Sequence, residues 1–332
     1  MALDPIRWGI VATGNISSAF TRDLALLDDA EVVAVGSRSP ESAEKFGAEF
    51  GIPHRYGDYP SLVDDADVDV VYIGTPHPQH YAIARACLQA GKAVLCEKPV
   101  TLNARQARDL VGVARANGVL FAEAMWMRTL PIIRTMYDDL RSGSIGEPLQ
   151  VLADFGFTQP DLPDRLLRPE LGGGALLDLG VYPATFAYAA LGRPAEVKTV
   201  SEISDLGVDL STAMVWRYDS GAIAALTCGM RVHNPCTASI SGTEGSLLVP
   251  HRFHHPSHYV RETAAGAERV EVAQTGTGYH YEATEVMTAM RAGLVECPLL
   301  PHADTIAILE LIDEARAQVG VRYPGDEEWW GE

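Results

Sequence analysis

The sequence predicts an α/β chain in two parts, a doubly wound parallel sheet followed by an α+β region built on an open, mostly antiparallel sheet. From Arg7 to about Glu123, short β-branched runs alternate with amphipathic stretches of helical period, as in a parallel sheet with crossover helices. Past Glu147 the runs lengthen, alternate apolar with polar residues and are separated by turn signals, the pattern of antiparallel strands. A chain of 332 residues, 47 % of them hydrophobic, is long enough for one large or two ordinary domains with a sizeable core. The boundary is predicted after residue 123, giving domains over 1–123 and 124–332.

In the first part the strand candidates are RWGIV, EVVAVGS, VDVVYIGT, AVLC and VLFAE. Helices are predicted between them over Ser39 to Phe50, Gln79 to Ala90 and Asn103 to Asn117, with Pro40 and Asn103 where helix starts favour them. In the second part LQVLADFGF, AEVKTVSEI, STAMVWRY, GAIAALTCG, TASISG and GSLLVP read as one sheet. The stretch Gly172 to Gly192 is almost long enough to span a bilayer. Asp178, the glycines and Pro183 argue instead for a helix buried between two layers, where an ionisable Asp178 needs a purpose or a partner. His302 to Val319 carries an apolar stripe at i, i+3, i+4 and i+7 and should pack as a closing helix.

Composition narrows the partners. A formal charge of −18 and a pI near 4.9 argue against nucleic acid or an anionic membrane, both of which the field of the protein would repel, so a small molecule is expected. The cysteines Cys87, Cys96, Cys228, Cys236 and Cys297 are odd in number, scattered and without a CxxC pair. They read as reduced thiols, and with no leader-like segment after Met1 the expected location is cytoplasmic.

The chemistry-bearing motifs fall at strand ends. ATGNIS, Ala12 to Ser17, follows the first strand where a G-x-G-x-x-G loop would sit. Gly14 holds the middle position, where backbone approaches a pyrophosphate most closely, and Ala12 and Ser17 are small enough for the outer two. After the second strand, where an NAD site would place a carboxylate for the ribose diol, stands Ser37-Arg38-Ser39. A hydroxyl and a guanidinium suit a 2′-phosphate, so NADP(H) is predicted over NAD(H). TPHPQH, Thr75 to His80, and VLCEKP, Val94 to Pro99, end two further strands at the carboxyl edge, where ligands bind in open α/β sheets. Glu97 and Lys98 should therefore project into that crevice.

The Gly14 loop, TPHPQH, AGKAVLCEKP, MWMRTLP (Met125 to Pro131) and GGGALLDLGVY together resemble the Gfo/Idh/MocA oxidoreductases over nearly the whole chain. With EAMWMRTLP and VGVRYPGD (Val319 to Asp326), the likeness within that family is nearest to the dimeric trans-dihydrodiol dehydrogenases and the NADP-dependent D-xylose 1-dehydrogenases. The resemblance implies an N-terminal Rossmann domain, a C-terminal substrate-binding and dimerisation domain, a catalytic Lys98, and a helix with an Asp and, four residues on, a His. Here Asp178 is followed by Tyr182 instead, a departure that the resemblance assigns to the dihydrodiol dehydrogenase and glucose-fructose oxidoreductase branches. Spacing of i and i+4 puts the two on one helical face.

Removing hydride from a carbinol carbon leaves a carbonyl only if the hydroxyl proton also departs. Tyr182 is the expected general acid/base, since a phenol of ordinary pKa about 10 loses its proton more readily beside the Lys98 ammonium. Lys98 would also fix the substrate hydroxyl and the nicotinamide ribose, Asp178 would hold Lys98 or a second hydroxyl, and Glu97 would bond cofactor or backbone. The other expected cofactor contacts are Ala12, Gly14, Asn15, Ile16, Ser37, Arg38, Thr75, Pro76, His77 and His80, the last orienting its loop, with Trp126 and Arg128 covering nicotinamide or substrate. Phe155, Phe157, Arg168, Tyr279 and His280 join Asp178 and Tyr182 as substrate-pocket candidates.

His251, His254, His255 and His258 are read as no metal site, because no spaced carboxylate or Cys completes a set and a strand after Pro250 would send alternate side chains to opposite faces. The faces of LQVLADFGF and STAMVWRY need covering, and a homodimer or higher homo-oligomer is expected. The predicted function is NADP-dependent oxidation of a hydroxyl of a cyclic polyol or sugar, a D-xylose-type aldose or a trans-dihydrodiol. The alternatives are reduction of a keto-sugar by the same residues in biosynthesis, and an NADP(H)-binding sensor without turnover.

Overall fold

In a computed structural model, which describes residues 4–158 and 161–326, the chain divides into two units. The first comprises Met1–Thr101, Arg105–Thr129 and Thr275–Thr305, and the second Leu102–Ala104, Leu130–Gln274 and Ile306–Glu332. The outer ends of the expected domains, 1 and 332, lie outside the described residues.

The first unit is a parallel sheet in the order β3-β2-β1-β4-β5-β6, with β1 at Ile6–Val11, β2 at Ala30–Gly36, β3 at His54–Tyr56, β4 at Val70–Ile73, β5 at Ala93–Glu97 and β6 at Phe121–Ala124. β4 and β5 are buried at every residue, which is why they read as unbroken apolar runs. β3 is absent from the sequence reading because HRY carries no apolar run; it is an edge strand held by its register with Ala34–Gly36. The helices are α1 at Asn15–Leu24, α2 at Pro40–Phe50, α3 at Tyr59–Val63, α4 at His77–Gln89 and α5 at Ala104–Asn117. Ser39 and Asp58 cap α2 and α3 by accepting from the amides of Ser42 and Ser61. Strand order reverses between β1 and β4, which makes their carboxyl ends the ligand edge of the sheet.

The second unit opens with α6 at Pro131–Arg141 and holds an eight-stranded sheet in the order β14-β13-β12-β11-β7-β10-β9-β8. Its strands are β7 at Pro148–Gly156, β8 at Glu196–Ile203, β9 at Asp209–Arg217, β10 at Ile223–Gly229, β11 at Ala238–Gly242, β12 at Gly245–Val249, β13 at His258–Thr263 and β14 at Gly266–Glu271. All neighbours are antiparallel except β7 and β10. Leu210, Thr212, Met214 and Trp216 of β9 face inward. The other face carries one register row across the strands, Val215, Ala225, Leu152, Ser239, Leu248 and Val260, in which Val215, Leu152 and Leu248 are exposed.

Between β7 and β8 lie α7 at Asp164–Leu167, a π-helical turn at Leu176–Gly180 and α8 at Val181–Leu191. Residues Pro169–Leu191 are apolar enough to cross a membrane by length and composition, but their most apolar window is 78 % buried, so the stretch is a core element. The last helices are α9 at Tyr279–Arg291 and α10 at His302–Val319. The first unit takes up Thr275–Thr305, which a single cut after residue 123 does not provide for, because Asp23 of α1 reaches that segment. Its carboxylate accepts from the amides of Thr277 at 3.0 Å and Tyr279 at 2.8 Å and lies 3.3 Å from His280 Nδ1. Burial opposes that charge, but the amide bonds of Thr277, with Tyr279 and His280, hold it below the usual carboxylate range.

Candidate active site

In the first unit the glycine loop is ready for an anion. Gly14 is the N-cap of α1, no acidic residue stands in the first turn, and a Cβ built on Gly14 would meet no atom within 4 Å. The amides that open α1, at Asn15 and Ile16, stand at the positive end of a helix dipole beside this open position. Ser17 is buried, and its Oγ would lie 2.5 Å from a Cβ on Gly74, so the two small residues fit each other. Ala12 takes φ +80°, a left-handed conformation that costs a residue with a Cβ roughly 1–2 kcal/mol. The position of the first glycine therefore still demands glycine-like backbone, although the sequence reading asked only that it be small.

After β2, Ser37 is buried and Ser39 is committed to its cap, which leaves Arg38 exposed at this edge, bonded to Tyr59. Thr75 and Pro76 lead into α4, and the ring of His77 stands 5.8 Å from that of His80. His80 is fully buried, with Nδ1 2.9 Å from the Pro99 carbonyl oxygen and Nε2 2.7 Å from that of Thr75. Burial pushes the imidazole pKa down while the two carbonyls pull it up. With both nitrogens engaged, His80 does not reach a ligand directly; it ties the Thr75 turn to the turn at Pro99.

Glu97 and Lys98 part company, which corrects the expectation that both project outward. Glu97 is 7 % exposed: Oε1 accepts from the Tyr72 hydroxyl at 2.7 Å and Oε2 from the Lys98 amide at 3.1 Å. Tyr72 is itself stacked on Phe20 with ring centroids 3.8 Å apart. Burial raises the Glu97 pKa. Lys98 is half-buried at the end of β5. Glu123 on β6 is a second buried carboxyl, accepting from the Val100 amide at 3.0 Å and the Thr305 hydroxyl at 3.1 Å, so the chain after Lys98 is held as well.

Trp126 is buried in a short 3-10 turn, Trp126–Thr129, against the ring of Tyr279 at 4.9 Å. Arg128 is ion-paired to Asp304 at 2.7 Å. Tyr279 and His280 belong to the first unit rather than to a substrate domain. His280, expected in the substrate pocket, is buried between Asp23 and the Thr275 hydroxyl, 3.1 Å from its Nε2.

In the second unit Asp178 lies in the π-helical turn and Tyr182 in the first turn of α8, both largely buried. The ring of Tyr182 meets Phe155 edge-on at 5.2 Å and stands 5.7 Å from the ring of His254, which is stacked on Phe155 at 4.3 Å. Phe157 follows β7, its amide donating to the Gly229 carbonyl. The guanidinium facing Asp178 is that of Arg165, at 3.8 Å; Arg168 pairs with Asp164 at the surface.

Two neighbours of Asp178 and Tyr182 escaped the sequence reading. Arg165 lies beside the Arg168 that was chosen. His254 was assigned to a solvated or interface strand, but 250–257 is a run of turns and β13 begins only at His258. Of its neighbours, His251 bonds the Pro235 carbonyl and His258 the Ser257 hydroxyl.

A family model described as an oxidoreductase family with an NAD-binding Rossmann fold matches residues 6–125, and one described as a GFO/IDH/MocA C-terminal domain matches 133–248. The chain is similar to the trans-1,2-dihydrobenzene-1,2-diol dehydrogenase of Mus musculus, 37 % identical over 97 % of this chain and 99 % of that protein. It is 35 % identical to the Homo sapiens protein of the same name over the same shares. Among solved structures it is similar to a 3-ketoreductase from Actinomadura kijaniata in complex with NADP and TDP-benzene, with a TM-score of 0.84 and 28 % identity over 95 % of this chain and 98 % of that one. A levoglucosan dehydrogenase in complex with NADH and levoglucosan shares the fold, with a TM-score of 0.85 at 22 % identity over the same shares.

Proposed function

Because the chain belongs to the Gfo/Idh/MocA family of oxidoreductases, we propose that it is an NADP-dependent dehydrogenase that oxidises one hydroxyl of a cyclic polyol, either a trans-dihydrodiol or a D-xylose-type aldose. The observation that carries this reading is the division of labour at the end of β5, where Glu97 turns inward onto Tyr72 while Lys98 is left half-exposed at the ligand edge of the sheet.

The residues present fit the cofactor. The open cradle at Gly14 and the amides that begin α1 would hold a pyrophosphate, and exposed Arg38 would take a 2′-phosphate. Thr75, Pro76 and His77 would line the same edge, kept in place by His80. Bound nicotinamide supplies the hydride acceptor. The proposed general base for the substrate hydroxyl proton is Tyr182, and the group proposed to orient a hydroxyl is the Lys98 ammonium. Asp178, with Arg165 opposite, binds a second hydroxyl, which suits a vicinal diol. Phe155 and His254 beside Tyr182 offer flat faces to a ring substrate.

The same residues in reverse would reduce a keto-sugar, and the similarity to a 3-ketoreductase favours keeping that direction open. The open sheet face, with its exposed row of Leu152, Val215 and Leu248, is proposed to be covered by a second copy of the chain, and the protein to work in the cytoplasm.

Reduced-nicotinamide absorbance, followed with NADP+ and separately NAD+ against a trans-dihydrodiol, D-xylose, D-glucose and other cyclic polyols, tests the reading. Turnover with NADP+ preferred is expected, and Lys98→Met should lower kcat by at least about a thousandfold while NADPH still binds. NADPH binding without turnover in either direction would replace the enzyme by a sensor.

A further inference from the structure

We propose that the buried cluster of Arg316, Asp313, Asp326 and Tyr323 is a positioning device for the catalytic residues, gripping the chain just past Lys98 and just ahead of Asp178. The inference rests on the roles given above to Lys98, Asp178 and Tyr182.

Arg316 is fully buried on α10, and its guanidinium donates to Asp326 Oδ2 at 2.7 Å, Asp313 Oδ1 at 2.6 Å and the Leu102 carbonyl at 3.3 Å. Asp313 Oδ2 accepts from the Ala104 amide at 2.9 Å, and Asp326 Oδ1 from the Asn103 side-chain amide at 3.0 Å. Three consecutive residues, Leu102, Asn103 and Ala104, are thus each held by a different member of the cluster, and they begin four residues past Lys98.

The other grip runs through Tyr323. Its amide donates to Asp326 Oδ2 at 2.8 Å, its ring lies under the Arg316 guanidinium at 4.6 Å, and its hydroxyl donates to the Gly173 carbonyl at 2.6 Å. Gly173 precedes Asp178 by five residues and Tyr182 by nine. The same turn is fixed from behind by Asp209, whose Oδ2 accepts from the Leu176 amide at 2.7 Å and whose Oδ1 would lie 2.4 Å from a Cβ on Gly174, where φ is +116°. A side chain there has no room, and the backbone conformation suits glycine.

Stability alone is a poor reason for such a cluster. Well-packed apolar residues often replace a buried ion pair at no loss, whereas paired charges specify geometry through directional bonds. Here the cluster's bonds named above, beyond the ion pairs themselves, end on residues 102–104, on Gly173 or within the strap Tyr323 to Asp326. Misplacing a reacting group by about 1 Å can cost on the order of a hundredfold in rate.

Tyr323→Phe removes only the bond to Gly173 and keeps the ring under Arg316. The expected result is a kcat about tenfold lower, an NADPH Kd within about twofold of wild type, and faster amide hydrogen exchange confined to 172–182. Asn103→Ala should do the same for 98–104. Faster exchange with kcat unchanged would overturn the positioning role, as would an NADPH Kd weakened as much as kcat, which marks general damage. A wild type without turnover on any diol, aldose or keto-sugar, combined with the localised exchange change, would withdraw the dehydrogenase reading and leave the grip itself standing.

Discussion

The two units bury acids in opposite ways. In the second, Asp313 and Asp326 share the Arg316 guanidinium, so buried negative charge meets buried positive charge. In the first, Glu97, Glu123 and Glu282 are buried and each is raised by its burial, with Glu123 adding to the rise of Glu97 and both adding to that of Glu282. Glu97 and Glu123 are held by hydroxyls and amides, and neither carboxyl oxygen of Glu282 has a hydrogen-bond partner among the described residues. Burial raises Glu97, Glu123, Glu282 and Asp313 alike, but Asp313 has the Arg316 guanidinium bonded to it to pull it back, whereas Glu282 has no bond to offset its burial among the described residues. The larger pH dependence is therefore expected from Glu282.

Arg316→Met should break the contrast most sharply. It leaves two carboxyls buried without their cation, at a cost of about 3–5 kcal/mol in chemical denaturation. Burial already pushes Asp313 up while the guanidinium pulls it back, so without Arg316 its folded value rises further above the unfolded one. Stability of the variant should then be greatest below about pH 4 and fall as pH rises, and a loss that is the same at pH 4 and pH 8 would break this account.

Glu282→Gln tests the other side with the opposite sign. Burial, joined by repulsion from Glu97, Asp23 and Glu123, holds the Glu282 carboxyl well above the usual range. A raised acid contributes stability that is full below its unfolded value, about 4.3, and is lost as pH climbs toward the folded value. The amide keeps the shape and cannot ionise. Wild type and variant should unfold alike near pH 4, and the variant should gain about 1.4 kcal/mol per pH unit above that until Glu282 ionises in the folded protein. A difference that does not vary with pH would mean that Glu282 is charged and compensated.

What could be read from the sequence follows from how local each signal is. The buried strands were legible because residues covered on both faces must be apolar, and α2 because Ser39 and Pro40 announce a helix start. The inward turn of Glu97 was missed, although Tyr72 in an otherwise aliphatic VVYI strand was a usable hint, since a buried tyrosine hydroxyl needs a partner. The attachment of α9 to the first unit depends on bonds from Asp23 to residues 254 and 256 positions away, which no period or cap reports. His254 was hidden for a different reason. A stretch rich in histidine and proline looks like a strand only if its turns are ignored, and its stacking on Phe155 exists only once β7 and the 250–257 turns are folded together.

The smallest expected effect concerns Ala12, the one place where the glycine loop departs from glycine and the backbone does not. A Cβ at φ +80° costs roughly 1–2 kcal/mol, and Ala12→Gly would remove that strain. Glycine also loses more conformational freedom on folding, about 0.5–1 kcal/mol relative to alanine, which offsets part of the gain. The balance should leave the variant more stable by about 0.5–1 kcal/mol in urea unfolding, with NADPH affinity within about twofold because the Gly14 cradle and the amides of α1 are untouched. A destabilised variant would mean that the Ala12 methyl is worth more in contacts than its backbone conformation costs. The loop would then be an alanine site by fit rather than a glycine site that tolerates alanine.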